Sequence, residues 1–236
     1  MNSQTINETV YSRTELMLGG EGVERLRNAH VAVFGVGGVG GYAVEALARA
    51  GVGEITLIDS DRVSESNINR QIIALRSTVG MLKTDVMMQR IVDINPGIKV
   101  HSLPVFFDTD TDCIDFTQFD YVIDAIDSLS SKLHLIASAK EAGVEIISAM
   151  GAGGKLDPTR FRVTDISRTS VCPLAKRVRT ELRKMGILRH KVVFSDEPSA
   201  RRIEGQPVGS LSFVPSVMGL ILAGEVIKEL SGITAE

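Results

Sequence analysis

Cysteine is scarce in this sequence, and long hydrophobic runs are absent. The 236 residues include two cysteines, Cys113 and Cys172, which lie far apart and cannot form the disulfide framework of a small secreted protein. The polar N-terminus lacks the apolar segment of a signal peptide. The longest apolar stretch, at 214–223, is shorter than the ~20 residues that span a bilayer. The sequence therefore predicts a cytoplasmic protein without a membrane segment.

The sequence also lacks the usual patterns of a metal site. It has no Cys-X-X-Cys pair, and two isolated cysteines cannot supply a four-ligand structural zinc site. The histidines do not follow a metal-ligand spacing either, and we therefore expect no structural zinc. The four histidines are His30, His101, His134 and His190.

Apolar runs typical of strands alternate with helical patterns from residue 30 to residue 149. This order predicts an α/β fold with a doubly wound, mostly parallel, Rossmann-like sheet and a basic C-terminal helix and loop segment. We expect an N-terminal arm at 1–28, a nucleotide-binding core at 29–154, and a segment at 155–236 that completes the domain. Residues 186–213 contain several glycines and prolines without a clear period, which predicts a flexible loop, either a functional lid or plain disorder.

A glycine-rich loop follows the first apolar run and opens a helical pattern. Such glycines let the backbone approach a phosphate and direct helix N–H groups toward it. Asp59 ends the second apolar run, where a carboxylate accepts hydrogen bonds from ribose hydroxyls. These features predict a nucleotide site, but they do not separate NAD from ATP. The glycines of the loop are Gly35, Gly37, Gly38 and Gly40.

Three further residues favour a triphosphate and its metal ion. Arg70 and Lys83 can neutralise a triphosphate as negative charge moves onto the leaving pyrophosphate. Asp127 follows a predicted strand at 121–125, at the edge of a parallel sheet where ligands bind. A carboxylate there suits a hydrated Mg²⁺ ion, which takes few protein ligands. The sequence therefore predicts ATP and Mg²⁺ as cofactors.

The order of these motifs resembles the ubiquitin-activating-enzyme-like adenylyltransferases, the superfamily of ThiF, MoeB and HesA. This family activates a carboxylate by forming an acyl-adenylate from ATP. The motifs are Gly35-X-Gly37-Gly38-X-Gly40, Asp59-X-Asp61, Asn67-X-X-Arg70-Gln71, Gly80-X-X-Lys83 and Asp124-Ala-Ile-Asp127, and they lie within 11–150. The resemblance implies that ATP is bound by Gly35, Gly37, Gly38, Gly40, Asp59, Asp61, Asn67, Arg70, Gln71, Lys83, Asp127 and Ser128, with Asp127 as the metal ligand.

The resemblance also implies which of these residues are catalytic. Catalytic roles fall to Arg70, Lys83 and Asp127. The segment Tyr11-Ser-Arg13 is similar to the family's N-terminal arginine motif, in which the arginine reaches the phosphates bound by the partner subunit. We therefore expect Arg13 to be catalytic across a homodimer.

Within the superfamily, the sequence is most similar to the tRNA threonylcarbamoyladenosine dehydratase (TcdA-like) branch. The sulfur-carrier activators usually carry two Cys-X-X-Cys pairs, which are missing here. The branch implies an ATP-dependent, AMP-forming enzyme that cyclises threonylcarbamoyladenosine in tRNA by adenylating its carboxylate. It leaves open a sulfur-transfer partner of the cysteine desulfurase type. The matching segments are Asp124-Ala-Ile-Asp127-Ser128 with Lys132, Gly151-Ala-Gly153-Gly154-Lys-Leu-Asp157-Pro158, and Val163-Thr-Asp165-Ile.

The distribution of charge supports an RNA substrate. From Lys155 to Arg202 there are thirteen basic and five acidic residues, a net charge of +8, whereas the remainder of the chain carries −11. A basic surface on an acidic protein is typical of phosphate-backbone binding, although a solvated charged face is the alternative. We expect tRNA contacts from Lys132, Lys176, Arg179 and Arg183.

Three other functions stay open from the sequence alone. An activator of a ubiquitin-like sulfur carrier that has lost its zinc would adenylate a carrier protein ending in Gly-Gly. An NAD(P) oxidoreductase would use the glycine-rich loop but would have no role for Lys83. A non-catalytic nucleotide-sensing protein would bind ATP without turnover, which the set of Arg70, Lys83 and Asp127 disfavours.

Overall fold

Strands and helices alternate along most of the chain. The computed structural model describes residues 9–111, 114–200 and 205–233. The strands are β1 (His30–Phe34), β2 (Glu54–Ile58), β3 (Lys99–Leu103), β4 (Tyr121–Asp124), β5 (Glu145–Ala149), β6 (Phe161–Asp165) and β7 (Lys191–Ser195). The helices are α1 (Ser12–Asn28), α2 (Gly40–Ala50), α3 (Lys83–Ile94), α4 (Leu129–Glu141), α5 (Pro173–Lys184) and α6 (Phe213–Ser231).

The seven strands of the described residues form one sheet, in the order β3-β2-β1-β4-β5-β7-β6. Neighbouring strands are parallel, except that β6 runs antiparallel to β7. The chain proceeds outward from β1 to β3 and then returns to place β4 beside β1. In open sheets of this kind, ligands bind at the carboxyl ends of the strands where the order reverses. The predicted doubly wound, mostly parallel fold is confirmed.

Each face of the sheet is covered by its own hydrophobic core. Val31 and Val33 of β1 lie in the core formed with α2, α3 and α6. Ala32 and Phe34 of the same strand lie in the core formed with α4 and α5. Successive side chains of a strand point to opposite faces, so a strand covered on both sides is apolar throughout. This explains why all five residues of β1 are buried.

The last helix, α6, packs along α2. Met218 and Leu222 of α6 share a core with Ala43 and Val44 of α2. Because α2 begins at the glycine-rich loop, the C-terminal part of the chain supports the predicted nucleotide site. No helix in the described ranges is long and apolar enough to cross a membrane.

The structure corrects the predicted irregular loop at 186–213. Strand β7 lies within it, paired with β5 on one side and β6 on the other. Val192 and Val193 of this strand are fully buried. A short strand that is buried on both faces lacks the alternation of apolar and polar residues that marks a half-exposed strand. The sequence pattern therefore did not distinguish β7 from the glycine- and proline-rich residues around it. Residues 201–204 of the predicted loop lie outside the described residues.

Candidate active site

The loop between β1 and α2 requires glycine at two positions. Gly35 has a φ of 89°, and a Cβ there would lie 2.8 Å from the carbonyl oxygen of Ala125. A Cβ on Gly40 would lie 1.7 Å from the carbonyl oxygen of Gly35. The amide of Gly35 donates to the carbonyl oxygen of Ile58 at 2.8 Å. The loop is therefore held against the carboxyl ends of β2 and β4, where the strand order reverses.

Gly37 and Gly38, in the middle of the loop, have a different reason to lack side chains. A Cβ on either glycine would meet its nearest neighbours, in Gln71 and Arg70, at 3.7 and 3.4 Å, which are ordinary contacts. Packing within the chain does not require these glycines, so they leave room for a bound group. At the start of α2, Val39 makes no side-chain capping hydrogen bond among the residues described. A helix N-terminus without such a cap favours an anion such as phosphate.

Asp59 holds the glycine-rich loop in place. Its two carboxylate oxygens accept hydrogen bonds from the amides of Val36 at 2.7 Å and Asp61 at 2.8 Å. The Asp59 side chain is nearly buried. Each oxygen of an ionised carboxylate has two lone pairs, so Asp59 retains the capacity to accept a ribose hydroxyl. The structure adds a loop-positioning role to the ribose contact predicted from the sequence.

Lys83 lies in the first turn of α3 and points toward the two aspartates that follow β2. Its ammonium nitrogen is 2.6 Å from Asp61 Oδ2 and 3.9 Å from Asp59 Oδ2. The Lys83 side chain is 7% exposed, whereas that of Asp61 is 67% exposed. Asp61 can therefore turn into solvent when another anion takes its place, while Lys83 stays beside the loop. Such a cation is suited to a phosphate.

Arg70 lies beside Gly38 of the glycine-rich loop. Its Nη1 atom donates to the carbonyl oxygen of Ser66 at 2.9 Å and to Asn69 Oδ1 at 2.8 Å. Both partners are neutral, and a phosphate oxygen would be a stronger acceptor for the guanidinium. Asn67 belongs to a turn that its side chain caps, and its carbonyl oxygen accepts from the amide of Arg70 at 3.0 Å. The capped turn therefore fixes the position of the Arg70 backbone, from which the guanidinium extends.

Two buried polar atoms near this set have no hydrogen-bond partner within the described parts of the chain. They are Gln71 Oε1 and Thr84 Oγ1. Gln71 is 7% exposed and contacts the loop beside Gly37, while Thr84 follows Lys83 in α3. An unpaired buried polar atom costs about 1–3 kcal/mol, so a ligand group that pairs with Gln71 is favoured. Thr84 has no exposed surface through which a ligand could reach it. No motif of the sequence singles out Thr84, and its place next to Lys83 is the one signal that points to it.

Asp124 and Lys132 form an internal ion pair at the end of β4. The ammonium of Lys132 lies 2.7 Å from Asp124 Oδ2, and neither side chain has exposed surface. The other oxygen of Asp124 accepts from the amide of Ile126 at 3.1 Å. The predicted contact between Lys132 and tRNA is therefore wrong, because an ammonium without exposed surface cannot reach an RNA backbone. Lys132 instead connects α4 to the end of β4, three residues before Asp127.

Asp127 is exposed in the connection between β4 and α4. Its carboxylate makes no hydrogen bond or ion pair with any described residue. It follows Ala125 by two residues, and Ala125 contacts the glycine-rich loop. Ser128, the N-cap residue of α4, is half-buried beside it. A free carboxylate next to a phosphate-binding loop fits a hydrated Mg²⁺ ion, which keeps several of its own waters.

Within one chain, Arg13 lies far from the glycine-rich loop and the residues around it. It is exposed in the first turn of α1. Its neighbour Tyr11 packs against Gly51 and bonds Asn95, at the ends of α2 and α3. The glycine-rich loop lies at the opposite end of α2, about 16 Å away along an eleven-residue helix. Any role of Arg13 at the phosphates therefore requires a second subunit.

The basic face of α5 consists of exposed side chains on one side of the helix. Arg179 differs from its neighbours because its guanidinium donates to the carbonyl oxygen of Thr169 at 3.0 Å and to the Thr169 hydroxyl. Arg179 thus anchors the segment before α5 and is less available to RNA than predicted. The residues that define the basic face are Lys176, Arg177, Arg183 and Lys184.

Other cations of the basic segment have partners inside the protein. Lys155 is buried and donates to the carbonyl oxygen of Glu197. Arg160 and Arg162 both pair with Asp196. Arg201 and Arg202 lie outside the described residues. The net charge of the segment therefore overstates how many of its cations are free to contact a phosphate backbone.

Neither cysteine is assigned to the candidate active site. Cys172, the N-cap residue of α5, is 3% exposed and carries a free thiol. Cys113 lies outside the described residues. A thiol that is shielded from solvent in this way is not placed to attack a substrate.

Known proteins resemble this chain in sequence and in fold. The ThiF family matches residues 11–236. A tRNA threonylcarbamoyladenosine dehydratase of Bacillus subtilis is 47% identical over 242 residues, which cover 93% of this chain and 94% of that protein. The crystal structure of Escherichia coli TcdA, a tRNA N6-threonylcarbamoyladenosine dehydratase, in complex with AMP is 36% identical, with a TM-score of 0.87 over 93% of each chain. The TcdA complex with ATP gives a TM-score of 0.86 at 36% identity, over 94% of this chain and 93% of that one. The family predicted from the sequence motifs is confirmed, and this chain belongs to the ThiF family.

Proposed function

We propose that this protein is an ATP-dependent tRNA threonylcarbamoyladenosine dehydratase. The threonyl carboxylate of the modified adenosine attacks the α-phosphate of ATP and displaces pyrophosphate. The neighbouring carbamoyl group then attacks the activated carbonyl carbon, AMP leaves, and a ring closes. The nucleoside loses one water in total. Attack within one molecule needs no enzyme nucleophile, in agreement with the buried thiol of Cys172.

The position of Lys83 is the observation that carries this proposal. Its ammonium is shielded from water and lies between Asp59, which fixes the glycine-rich loop, and Asp61, which is exposed. A shielded cation interacts more strongly with a developing negative charge than one in bulk water. Lys83 is therefore placed to stabilise the triphosphate as pyrophosphate leaves. An NAD(P) oxidoreductase would not require this additional cation.

Arg70 and Asn67 complete the phosphate contacts in this proposal, and Gln71 adds a contact to another part of the nucleotide. Arg70 exchanges two neutral acceptors for phosphate oxygens. Gln71 has an unpaired oxygen beside the loop, so a ribose hydroxyl or a bound water is favoured there. Arg70 lies beside Gly38 and Gln71 beside Gly37, so both can reach a ligand held by the glycine-rich loop.

The proposed metal ligand is Asp127, and Mg²⁺ bound there would neutralise part of the charge of the triphosphate. The carboxylate is exposed and unpaired among the described residues, which fits an ion that keeps most of its waters. The buried pair of Asp124 and Lys132 holds the strand end from which Asp127 projects. Asp124 itself is already neutralised and is not proposed as a ligand.

We also propose that residues 155–236 complete the nucleotide-binding domain and present the tRNA. Strands β6 and β7 extend the sheet that begins with β1, and α6 packs along α2. The basic face of α5 is exposed on the same domain. Its cations suit contacts with phosphates rather than with bases, since such contacts position an RNA without reading its sequence.

The homodimer is a further part of the proposal. Arg13 is exposed on α1 together with Leu16 and Met17, whose exposed fractions are 69% and 79%. Large apolar side chains that are exposed beside each other are typical of interaction surfaces. A second copy that covers them would carry Arg13 toward a neighbouring nucleotide site. The cysteine desulfurase partner stays a prediction from the sequence resemblance.

The decisive experiment measures AMP release from ATP and Mg²⁺ with two tRNA preparations. One carries threonylcarbamoyladenosine, and the other is the same tRNA without the modification. We expect AMP only with the modified tRNA, together with the loss of one water from its nucleoside by mass analysis.

The same assay separates the proposal from its rivals. AMP formation with a carrier protein ending in Gly-Gly, and not with either tRNA, would instead assign a sulfur-carrier activator. ATP binding without AMP from any substrate would indicate a nucleotide-sensing protein. Either result would contradict the dehydratase proposal.

A further inference from the structure

Three potential metal ligands from three adjacent strands meet near the amino ends of those strands. They are His30 of β1, Glu54 of β2 and His101 of β3, and one ligand atom from each lies within 4.8 Å of the other two. His30 is the register partner of Glu54, and His101 is the register partner of Thr56. Glu54 and Thr56 are two residues apart and share one face of the sheet. Strand pairing therefore places all three ligands on the same face.

The distances between the ligand atoms are close to those of a filled site. Glu54 Oε1 lies 2.8 Å from His101 Nε2 and 3.7 Å from His30 Nδ1. Tetrahedral zinc bound to nitrogen and oxygen at 2.0–2.1 Å separates its ligand atoms by about 3.4 Å. Shifts of about half an ångström bring a nitrogen of each histidine to this separation from Glu54 Oε1, and the ligand atoms of the two histidines lie within 4.8 Å of each other.

The surroundings of His30 suit either the metal-free or the metal-bound state. Without metal, Nδ1 of His30 can donate to the carbonyl oxygen of Gln118 at 3.1 Å, while Nε2 accepts from the hydroxyl of Thr56 at 2.8 Å. With metal, Nδ1 gives up its proton and exchanges its hydrogen bond to Gln118 for the ion. Nε2–H then donates to the Thr56 hydroxyl, because a hydroxyl can both donate and accept. A hydrogen bond of this kind to the second ring nitrogen orients a histidine ligand.

Access to the cluster is open on one side. The His101 side chain is 49% exposed, Glu54 is 29% exposed, and His30 is 11% exposed. Lys99 lies 3.6 Å from the other oxygen of Glu54, but it is 76% exposed and can turn away. The ion could thus enter from solvent and keep a water as its fourth ligand, a coordination that zinc adopts with three protein ligands.

We propose that His30, Glu54 and His101 bind one divalent ion of the zinc class. The site lies at the amino edge of the sheet and is separate from the glycine-rich loop at the carboxyl edge. Two imidazoles and a carboxylate favour Zn²⁺ over Mg²⁺, which prefers oxygen ligands. The bound ion links three strands, so it stabilises this side of the sheet.

The test is a calorimetric titration of the chelator-treated full-length protein with Zn²⁺ alone, without ATP or tRNA. We expect one equivalent to bind and the melting temperature to rise by about 5–10 °C at roughly a hundredfold excess over the Kd. His101→Ala removes an exposed ligand, so the variant keeps its fold and loses both effects. Thr56→Val should weaken binding by about 10–100-fold, since it removes the hydrogen bond that orients His30.

His134→Ala is the matched control because His134 stacks on Phe107 and lies outside the cluster. It should bind Zn²⁺ like the unaltered protein. Absence of a stoichiometric binding event in the unaltered protein would overturn the proposal, and so would unchanged Zn²⁺ affinity in His101→Ala. These readouts do not depend on enzyme activity, so they are independent of the proposed dehydratase function.

Discussion

Lys132 and Asp124 form an ion pair with a nitrogen–oxygen distance of 2.7 Å and no exposed surface on either side chain. The pair joins α4 to the end of β4, immediately before the exposed Asp127. The end of β4, next to the proposed metal ligand Asp127, is therefore held by the charges of Lys132 and Asp124. Each of these buried charges is neutralised by the other.

Replacing Lys132 with Met should destabilise the protein by about 3–5 kcal/mol, because the carboxylate of Asp124 is then buried without a partner. Urea unfolding followed by circular dichroism measures the change. The double variant Asp124→Asn with Lys132→Met removes both charges and should recover most of this loss. A single variant as stable as the unaltered protein would contradict the interpretation.

Lys83→Ala should lower the rate of adenylate formation by about 10²–10³-fold, in line with the loss of one electrostatic contact to the transition state. The fold should stay intact, because Asp61 is mostly exposed and can be solvated without its partner. The measurement is tRNA-dependent AMP release, with thermal unfolding as the check on folding. Lys228→Ala, which alters a surface cation on α6, is the control and should keep full activity. Retained turnover in Lys83→Ala would remove Lys83 from the proposed site.

Charge reversal of Lys176 and Arg183 together should weaken tRNA binding and reduce its dependence on salt. Each lost phosphate contact lowers the slope of log K against log salt by roughly 0.7–0.9, so the loss of two contacts should lower it by about 1.4–1.8. Filter binding at several salt concentrations gives this slope. Arg27→Glu alters an exposed arginine of α1 outside the basic segment and serves as the control. If the double variant and the unaltered protein give equal slopes, the basic face of α5 does not contact RNA.

His190 should make the protein less stable in acid. Its burial, together with the nearby charges of Lys140 and Lys132, lowers the pKa of His190 to about 3. The unfolded chain takes up a proton near pH 6.5 that the folded chain does not, so stability is full above that pH and falls as the pH drops toward 3. This one group should cost about 2 kcal/mol between pH 7 and pH 5.

The comparison for this pH effect is His190→Gln, which cannot titrate and can still bond Ser148, the partner of His190 Nε2 at 2.7 Å. Urea unfolding at both pH values should show a smaller loss in the variant by that amount. An equal loss in the two proteins would mean that His190 is protonated in the folded state.

Val171→Gly should raise stability by about 1 kcal/mol. Val171 is the one residue other than glycine with a positive φ, 60°, among those described, and this conformation is unfavourable for a β-branched side chain. Its side chain is 57% exposed, so little packing is lost. Thermal unfolding measures the gain, and Val208→Gly, at a similarly exposed valine, should lower stability instead. A decrease in Val171→Gly would show that the side chain packs more than its exposure indicates.

The fold and the main parts of the candidate site could be predicted because their signals are local in the sequence. The apolar run of β1, the glycine-rich loop after it and Asp59 after β2 each occupy a few consecutive residues. The direction of each strand follows from the helices between them. Lys83 and Arg70 could be predicted as phosphate contacts because each belongs to a short motif with a fixed spacing in the family.

What the sequence could not predict depends on pairing between distant segments. The sequence predicts that Lys132 contacts tRNA, and only the fold reveals the buried carboxylate of Asp124 that neutralises it. His30 and His101 are separated by seventy-one positions but become neighbours through the register of three strands. Strand β7 could not be predicted because it is recognised by its pairing with β5 and β6, whereas its own residues show no clear strand pattern.

The packing of α6 on α2 has a consequence for biosynthesis. The helix that steadies the glycine-rich loop lies more than 170 residues after the loop along the chain, so it is synthesised much later. A nascent chain that ends before residue 213 lacks Met218 and Leu222 and leaves Ala43 and Val44 uncovered. The support of the glycine-rich loop is therefore incomplete until residues 213–231 have been synthesised and have packed on α2.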